Sequence, residues 1–122
     1  LQDHHIFPRR YLQQRGFTKR VEINTIVNRT LVSDETNNKI KAKSPAEYMQ
    51  SKDIFPAGPN LELLQPHFIG PDSLGTLLVA KEDLGHAELR EVYEKFLSIR
   101  EAAIIGEIRR VTGVEISTGG MV

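Results

Sequence analysis

The most regular pattern in the chain is a stripe of apolar residues towards its C-terminal end. These residues recur at intervals of three to five positions, with Glu and Arg between them. Such spacing predicts one amphipathic helix from His86 to Thr112, whose apolar face packs on the rest of the protein. Gly113 is expected to end this helix, and the tail from Ser117 to Val122 is expected to fray. The stripe consists of Leu89, Val92, Phe96, Ile99, Ala103, Ile108 and Val111.

Two strands are predicted near the other end of the chain. The residues from Leu1 to Ile6 fit the end of a strand, which Phe7-Pro8 interrupts because proline lacks the amide that a ladder needs. Apolar and β-branched residues between Ile23 and Val32 then predict a second strand region around Asn28.

Two short helices are predicted directly after the second strand. Ser33-Asp34 is typical of a helix start, because these side chains can accept hydrogen bonds from free amides of the first turn. This helix would carry Asn37 in its first turns and end before Ser44-Pro45. Proline near the first helical position then favours a second short helix that continues to Met49.

The remaining segments are less regular. Tyr11-Leu12 fits a short helical turn that Gly16 stops, and a short apolar helix after residue 60 is expected to be cut by Pro66. The pattern of residues 70–85 is ambiguous between a loop and a short element. Residues 1–55 are expected to form a core unit and residues 56–122 a helical extension that packs on it within the same domain.

Two adjacent histidines, His4 and His5, are the main candidates for chemistry. Histidine is the side chain whose ordinary pKa suits a base that takes a proton from water near neutral pH. Neighbouring side chains on an extended segment point to opposite faces, so one ring can face a cation and the other water. His67 has no candidate partner nearby in the sequence, and we interpret it as structural. His86 lies beside Gly85 at the expected start of the C-terminal helix, and we interpret it as a residue of the capping region.

These residues resemble the HNH, or ββα-metal, nuclease motif. The run from His4 to Pro8 contains the His-Ile-x-Pro segment, Asn28 lies three residues before Leu31, and Asn37 lies six after it. The same internal spacing occurs in the HNH domain of the RNA-guided CRISPR nucleases. The longer pattern from Asn28 to Tyr48 is similar to the C-terminal HNH region of the GmrSD-type, modification-dependent restriction proteins. The resemblance implies an α+β fold, with a small ββα-metal unit, accessory helices and the long C-terminal amphipathic helix.

The resemblance also implies a role for individual residues. His5 takes the position of the general base that activates the attacking water. Asn28 matches the central Asn of the motif, whose side chain braces the loop that carries the base. Asp3 has no fixed place in the motif, although a carboxylate on the same strand face could orient the His5 ring.

The cofactor implied by the resemblance is one divalent metal ion. His4 takes the position of the first protein ligand and Asn37 that of the second, with Asn38 as an alternative one residue away. Magnesium or manganese is preferred, because so few protein ligands leave coordination sites for water and phosphate. A histidine ligand also makes zinc or nickel conceivable.

The distribution of charge favours a nucleic acid partner. The formal net charge is zero, but residues 1–55 hold ten basic and six acidic side chains and the remainder six basic and ten acidic. A polyanion would therefore be attracted to the segment with the motif. The chain has no cysteine, which excludes disulfides, thiolate catalysis and a cysteine-bound zinc. The candidate phosphate-binding residues are Arg9, Arg10, Arg29, Lys39 and Lys41.

We therefore expect a metal-dependent endonuclease that hydrolyses DNA, as the nuclease part of a restriction or phage-defence protein. The chain begins almost on the motif, so an upstream recognition or NTPase domain is an expected partner. A cytoplasmic location is expected, because no apolar run approaches membrane-spanning length and nothing resembles a secretory signal. The alternatives are a non-cleaving DNA-binding or assembly module with an HNH-like fold, and a helical interaction domain with an accidental motif. The oligomeric state stays open.

Overall fold

The computed structural model describes residues 1–113 and has a mixed α+β fold dominated by helices. This confirms the predicted fold class at the level of an α+β protein with a long C-terminal helix. The predicted frayed tail, Ser117 to Val122, lies outside the described residues. The elements are β1 (Gln2–His5), α1 (Arg9–Gln14), α2 (Arg20–Ile23), a 3₁₀ turn (Ile26–Asn28), β2 (Arg29–Val32), α3 (Asp34–Ile40), α4 (Pro45–Met49), α5 (Leu61–Leu64), a second 3₁₀ turn (Gln65–His67), α6 (Pro71–Val79) and α7 (His86–Thr112).

The two strands form a short antiparallel ribbon. His4 pairs with Thr30 and His5 pairs with Arg29. Because successive side chains on a strand alternate between faces, the two histidines point to opposite sides of this ribbon. The helix α3 packs against β1.

The second strand is shorter than the sequence pattern predicted. Ile23 belongs to α2, Val27 lies in the first 3₁₀ turn, and the strand itself begins only at Arg29. The Thr25 hydroxyl accepts a hydrogen bond from the Val27 amide and so starts the 3₁₀ turn. Ile23 and Val27 are both buried, so core packing overrides their β propensity and the predicted strand before Arg29 was wrong.

The predicted helix starts at α3 and α4 are confirmed. Ser33 accepts a hydrogen bond from the Thr36 amide at 3.1 Å, and Ser44 accepts one from the Glu47 amide at 3.2 Å. The backbone of Lys41, at φ 48°, follows the last residue of α3. Few residues other than glycine adopt a positive φ, and here it turns the chain away from the helix axis.

One aromatic cluster joins the two ends of the chain. The Phe7 ring lies 5.1 Å from the Tyr93 ring and 4.9 Å from the Phe96 ring, measured between centroids. Phe17 contacts Tyr93 edge-on at 5.6 Å. The core cluster therefore contains residues both from the segment around β1 and from α7.

The boundaries of α7 are as predicted, but its buried face is only partly so. The helix spans His86–Thr112, and Gly113 follows in the left-handed conformation at φ 72°. Leu89 and Phe96 are buried, whereas Ala103 and Val111 are exposed. The predicted stripe is only partly buried because α7 packs on α6 and on the first 3₁₀ turn, and the buried face also includes four residues outside the stripe. These four buried residues are Tyr93, Arg100, Glu101 and Ile105.

The ambiguous stretch after residue 70 forms the helix α6 over Pro71–Val79. Pro66 lies within the second 3₁₀ turn directly after α5, at the predicted break. Among residues 1–113, no helix combines the length and the apolar character needed to cross a membrane.

We expect Phe96→Ala to lower the free energy of unfolding by about 3–5 kcal/mol, because it leaves a cavity beside Phe7 in a close-packed core. Chemical denaturation measures this change. Val111→Ala is the matched control on the same helix, since Val111 is 67% exposed and its truncation should change stability by less than about 0.5 kcal/mol. Equal losses for the two variants would contradict the packing described here.

Candidate active site

An open groove of about 530 Å³ brings together most of the side chains that the sequence singled out. Its walls come from β1, the first residues of α1 and the C-terminal part of α3. The groove is lined by Asp3, His4, His5, Pro8, Arg9, Arg10, Asn37, Asn38, Lys41 and Ala42.

His4 lies on the side of the ribbon that faces α3. It is only 6% exposed, and its Nδ1 lies 2.9 Å from Asn37 Oδ1. Its Nε2 is buried and makes no hydrogen bond within residues 1–113. Burial lowers the pKa of His4 to about 4, against the opposing effect of the Asn37 hydrogen bond, and the nearby charge of His5 lowers it further. The ring is therefore neutral at physiological pH. Because the Asn37 oxygen can only accept, Nδ1 carries the hydrogen and the lone pair is on the buried Nε2.

Asn37, rather than Asn38, is the amide that contacts His4. The Asn37 side chain also donates a hydrogen bond from Nδ2 to Gln2 Oε1 at 2.7 Å, so its orientation is fixed from two sides. Asn38 is exposed and lines the groove. In the described part of the chain, no group of three or more His, Asp or Glu side chains is placed to hold a metal ion.

His5 lies on the opposite face and contacts a residue that the sequence did not identify. Its Nε2 lies 2.8 Å from Asn24 Oδ1. Within residues 1–113 the Asp3 carboxylate forms an ion pair with Arg29 and has no hydrogen bond to His5. No sequence signal pointed to Asn24, since its position depends on the short helix α2, which the pattern did not predict and of which it assigned only Ile23 to a strand region.

Asn28 is fully buried directly before β2, and its side chain joins two backbone segments. Its Oδ1 accepts a hydrogen bond from the Phe7 amide at 2.8 Å. Its Nδ2 donates to the carbonyl oxygens of Phe7 and Ile23, both at 3.1 Å. The side chain therefore fixes the chain just after His5 relative to the end of α2.

The five basic candidates divide into two groups. Arg9, Arg10 and Lys41 are exposed and line the groove. Arg29 is paired with Asp3, and the Lys39 ammonium lies 3.5 Å from Glu35 and 3.6 Å from Asp53. Arg29 and Lys39 do not line the groove.

Those three ion pairs neutralise the charge of Arg29 and Lys39 locally. The one acidic residue that lines the groove, Asp3, is likewise neutralised by its partner Arg29. A positive potential from Arg9, Arg10 and Lys41 is left at the groove, which suits an anionic ligand.

His67 and Arg100 form hydrogen bonds with β2 and with the first 3₁₀ turn. The His67 Nδ1 lies 2.7 Å from the Thr30 hydroxyl, and its carbonyl accepts a hydrogen bond from Arg100 Nε at 3.1 Å. Arg100 Nη1 donates to the carbonyl of Val27 at 2.6 Å. Burial, then the charge of Arg100, lowers the pKa of His67. These contacts agree with the structural interpretation of His67.

The chain is similar to one protein of known sequence but uncharacterized function. An uncharacterized protein of Methanocaldococcus jannaschii is 31% identical over 118 residues, a match that covers 88% of this chain. The chain spans only 20% of the length of that relative. No protein-family model matches the chain. No solved structure matches it.

The burial of His4 predicts a pH dependence of stability. The unfolded chain takes up a proton at His4 near pH 6.5, whereas the folded protein resists it until about pH 4. This contribution is therefore fully present above pH 6.5 and is lost as the pH falls towards 4.

We expect the free energy of unfolding of the wild type, relative to His4→Gln, to fall by about 2 kcal/mol between pH 7 and pH 5. Urea denaturation at both pH values measures this difference. Asn38→Ala is the control, because Asn38 is exposed and carries no titratable group, and its difference from the wild type should stay constant over that range. A pH-independent difference for His4→Gln would contradict the burial of an uncharged His4.

Proposed function

We propose that this protein is a metal-dependent HNH endonuclease that hydrolyses DNA phosphodiester bonds, within a restriction or phage-defence protein. The proposal is supported by the joint placement of a candidate base, a candidate ligand pair and three basic side chains along one groove. The order of β1, β2 and α3, with α3 packed on β1, suits the ββα-metal unit that the motif implies.

The contact between His4 and Asn37 is the observation that carries the proposal. The His4 Nδ1 and Asn37 Oδ1 atoms are 2.9 Å apart. Both residues would hold the ion together, since an imidazole nitrogen and an amide oxygen are suitable ligands. Asn37 Oδ1 can only accept a hydrogen bond, so His4 Nδ1 carries the hydrogen in this contact and must lose it before that nitrogen binds a cation. The neutral state of the buried His4 ring supports the same role, because only a neutral imidazole can coordinate a metal.

The residues would divide the reaction as follows. His5 takes a proton from the attacking water. Arg9, Arg10 and Lys41 bind the phosphates of the DNA strand and keep it in the groove. His4 and Asn37 would hold a divalent cation, which would supply positive charge for the phosphate and for the leaving oxygen.

Magnesium or manganese is the proposed ion, with zinc or nickel as alternatives. A site with one imidazole and one amide ligand leaves most coordination positions to water and phosphate, as magnesium prefers. The imidazole makes binding of the transition metals possible as well.

The proposed partners are DNA and a further domain that selects the target or couples cleavage to a nucleotide. The greater length of the archaeal relative supports a further domain, since this chain corresponds to only 20% of it. The alternative function is a DNA-binding or assembly module that keeps this fold without cutting.

We expect His5→Ala to lower the rate of plasmid nicking in the presence of Mg²⁺ by about 10²–10⁴-fold, the usual contribution of a general base. Folding and DNA affinity should stay near those of the wild type, since His5 is only partly buried. Agarose-gel nicking and a DNA-binding titration measure the two properties. His86→Ala, an exposed histidine outside the groove, is the control and should nick at the wild-type rate.

Retained cleavage by His5→Ala would contradict the role of His5. DNA binding without cleavage by the wild type, with Mg²⁺ or Mn²⁺ present, would favour the non-cleaving module instead. Removal of metal with a chelator should abolish nicking by the wild type.

We expect His4→Ala and Asn37→Ala each to weaken Mn²⁺ binding by about tenfold or more, because each removes a proposed ligand. Isothermal titration calorimetry measures the affinity. Asn38→Ala is the matched control, since it removes the same functional group one residue away and should leave the affinity unchanged. A larger loss for Asn38→Ala than for Asn37→Ala would move the second ligand to Asn38.

A further inference from the structure

Asn24 has no place in the proposed mechanism, yet its side chain contacts the proposed base. The residue follows α2 directly, and its Oδ1 lies 2.8 Å from His5 Nε2. We infer that Asn24 is a positioning residue that fixes the ring orientation and the tautomer of His5. The inference rests on the proposed role of His5 as general base.

The chemistry of the contact determines which ring nitrogen is free. An amide oxygen can only accept a hydrogen bond, so the His5 Nε2 that faces it carries the hydrogen. A neutral imidazole has one N–H, and the lone pair is therefore on Nδ1. On this assignment Nδ1 is the atom of His5 that takes the proton from water, while Asn24 Oδ1 holds the other side of the ring.

The backbone around Asn24 is anchored although its side chain is exposed. From α7, the Arg90 guanidinium binds the Glu22 carboxylate at 3.0 Å between Nη1 and Oε1, and the Tyr93 hydroxyl donates to the Glu22 carbonyl. The carbonyl of Ile23 accepts a hydrogen bond from Asn28 Nδ2 at 3.1 Å. The two residues before Asn24 are thus fixed by different parts of the fold.

The buried Asn28 side chain, which binds the Ile23 carbonyl, also fixes the segment that carries His5. Asn28 binds both the amide and the carbonyl of Phe7, two residues after His5. Asn24 and His5 are therefore presented to each other by backbone segments that Asn28 ties together. An incidental surface contact would not have both of its partners anchored in this way.

No other side chain within residues 1–113 is hydrogen-bonded to His5. Asp3 shares its strand face, but the carboxylate is engaged by Arg29. The His4 ring lies on the other face of the ribbon and contacts Asn37. The orientation of the His5 ring therefore depends on Asn24.

Kinetics of plasmid nicking with Mg²⁺ test the inference. Asn24→Leu has nearly the same shape but no acceptor, and we expect it to lower kcat by about 10–100-fold, the usual effect of losing a group that orients a histidine. KM should change less than about twofold, because no phosphate-binding residue is altered. Asn24→Asp keeps an acceptor and should retain kcat within about threefold of the wild type. Gln14→Leu, which removes an exposed amide outside the groove, is the control and should match the wild type.

A second measurement reports the tautomer without reference to cleavage. Long-range ¹H–¹⁵N NMR spectra of the metal-free protein, labelled with ¹⁵N-histidine, distinguish Nε2–H from Nδ1–H rings, and the His5→Gln spectrum assigns the signal. We expect the Nε2–H form of His5 in the wild type and in Asn24→Asp, and a mixture of tautomers in Asn24→Leu.

The outcomes separate this inference from the proposed function. If the wild type nicks DNA and Asn24→Leu nicks equally fast, the inference is overturned and the nuclease assignment holds. If no form of the protein nicks DNA, the nuclease assignment fails, and the contact is then judged by NMR alone. An Nδ1–H ring in the wild type, or an unchanged tautomer in Asn24→Leu, overturns the positioning role in either case.

Discussion

The buried side-chain amide of Asn28 is the interaction on which the groove depends. It uses its oxygen and both of its hydrogens on the backbones of Phe7 and Ile23, while its own carbonyl accepts from the Ile6 amide at 2.8 Å. A buried polar group that loses its partner costs about 1–3 kcal/mol. Asn28, all of whose side-chain polar groups are hydrogen-bonded, thus fixes β1, the end of α2 and the start of β2 relative to one another. The positions of both His4 and His5 therefore depend on Asn28.

The long helix α7 supplies the second constraint. Arg100 is almost fully buried, and it donates to the carbonyls of Val27 and His67. Burial lowers its pKa to about 10, so the guanidinium still carries its charge at neutral pH. Within residues 1–113 the partners of this buried charge are carbonyl dipoles, and an apolar residue of similar volume would cost less to bury. The arginine instead determines orientation. Its planar guanidinium donates hydrogen bonds in fixed directions and so sets the angle of the first 3₁₀ turn relative to α7.

Much of the site could be predicted from the sequence, because its residues lie in short elements with local signals. The spacing of Asn28 and Asn37 around Leu31 identified two residues that the fold does bring to His4 and to the loop after His5. Ser33 and Ser44 marked helix starts through contacts only three residues away.

The failures lie where distant contacts decide the structure. Ile23 and Val27 have strand-forming side chains but lie in helical turns, because both side chains are buried in the core and Arg100 binds the Val27 carbonyl. Asn24 was missed for the same reason, because its contact with His5 depends on α2, a helix that the sequence pattern did not predict. A contact between residues about seventy positions apart leaves no periodic trace in a sequence. The roles of the nuclease motif itself stay predictions.

The distance along the chain between Arg100 and Val27 also has a consequence for biosynthesis. Arg100 lies 73 residues after Val27 and 74 after Ile26, so a ribosome releases the whole β-ribbon well before it makes the side chain that supports the turn beneath it. During that interval the Val27 carbonyl lacks its Arg100 donor, and Phe7 lacks the two aromatic rings of α7 that contact it. A nascent chain therefore carries the histidines of the groove before α7 supports the turn next to them. The contacts between this turn and α7 can form only after Arg100 has been made.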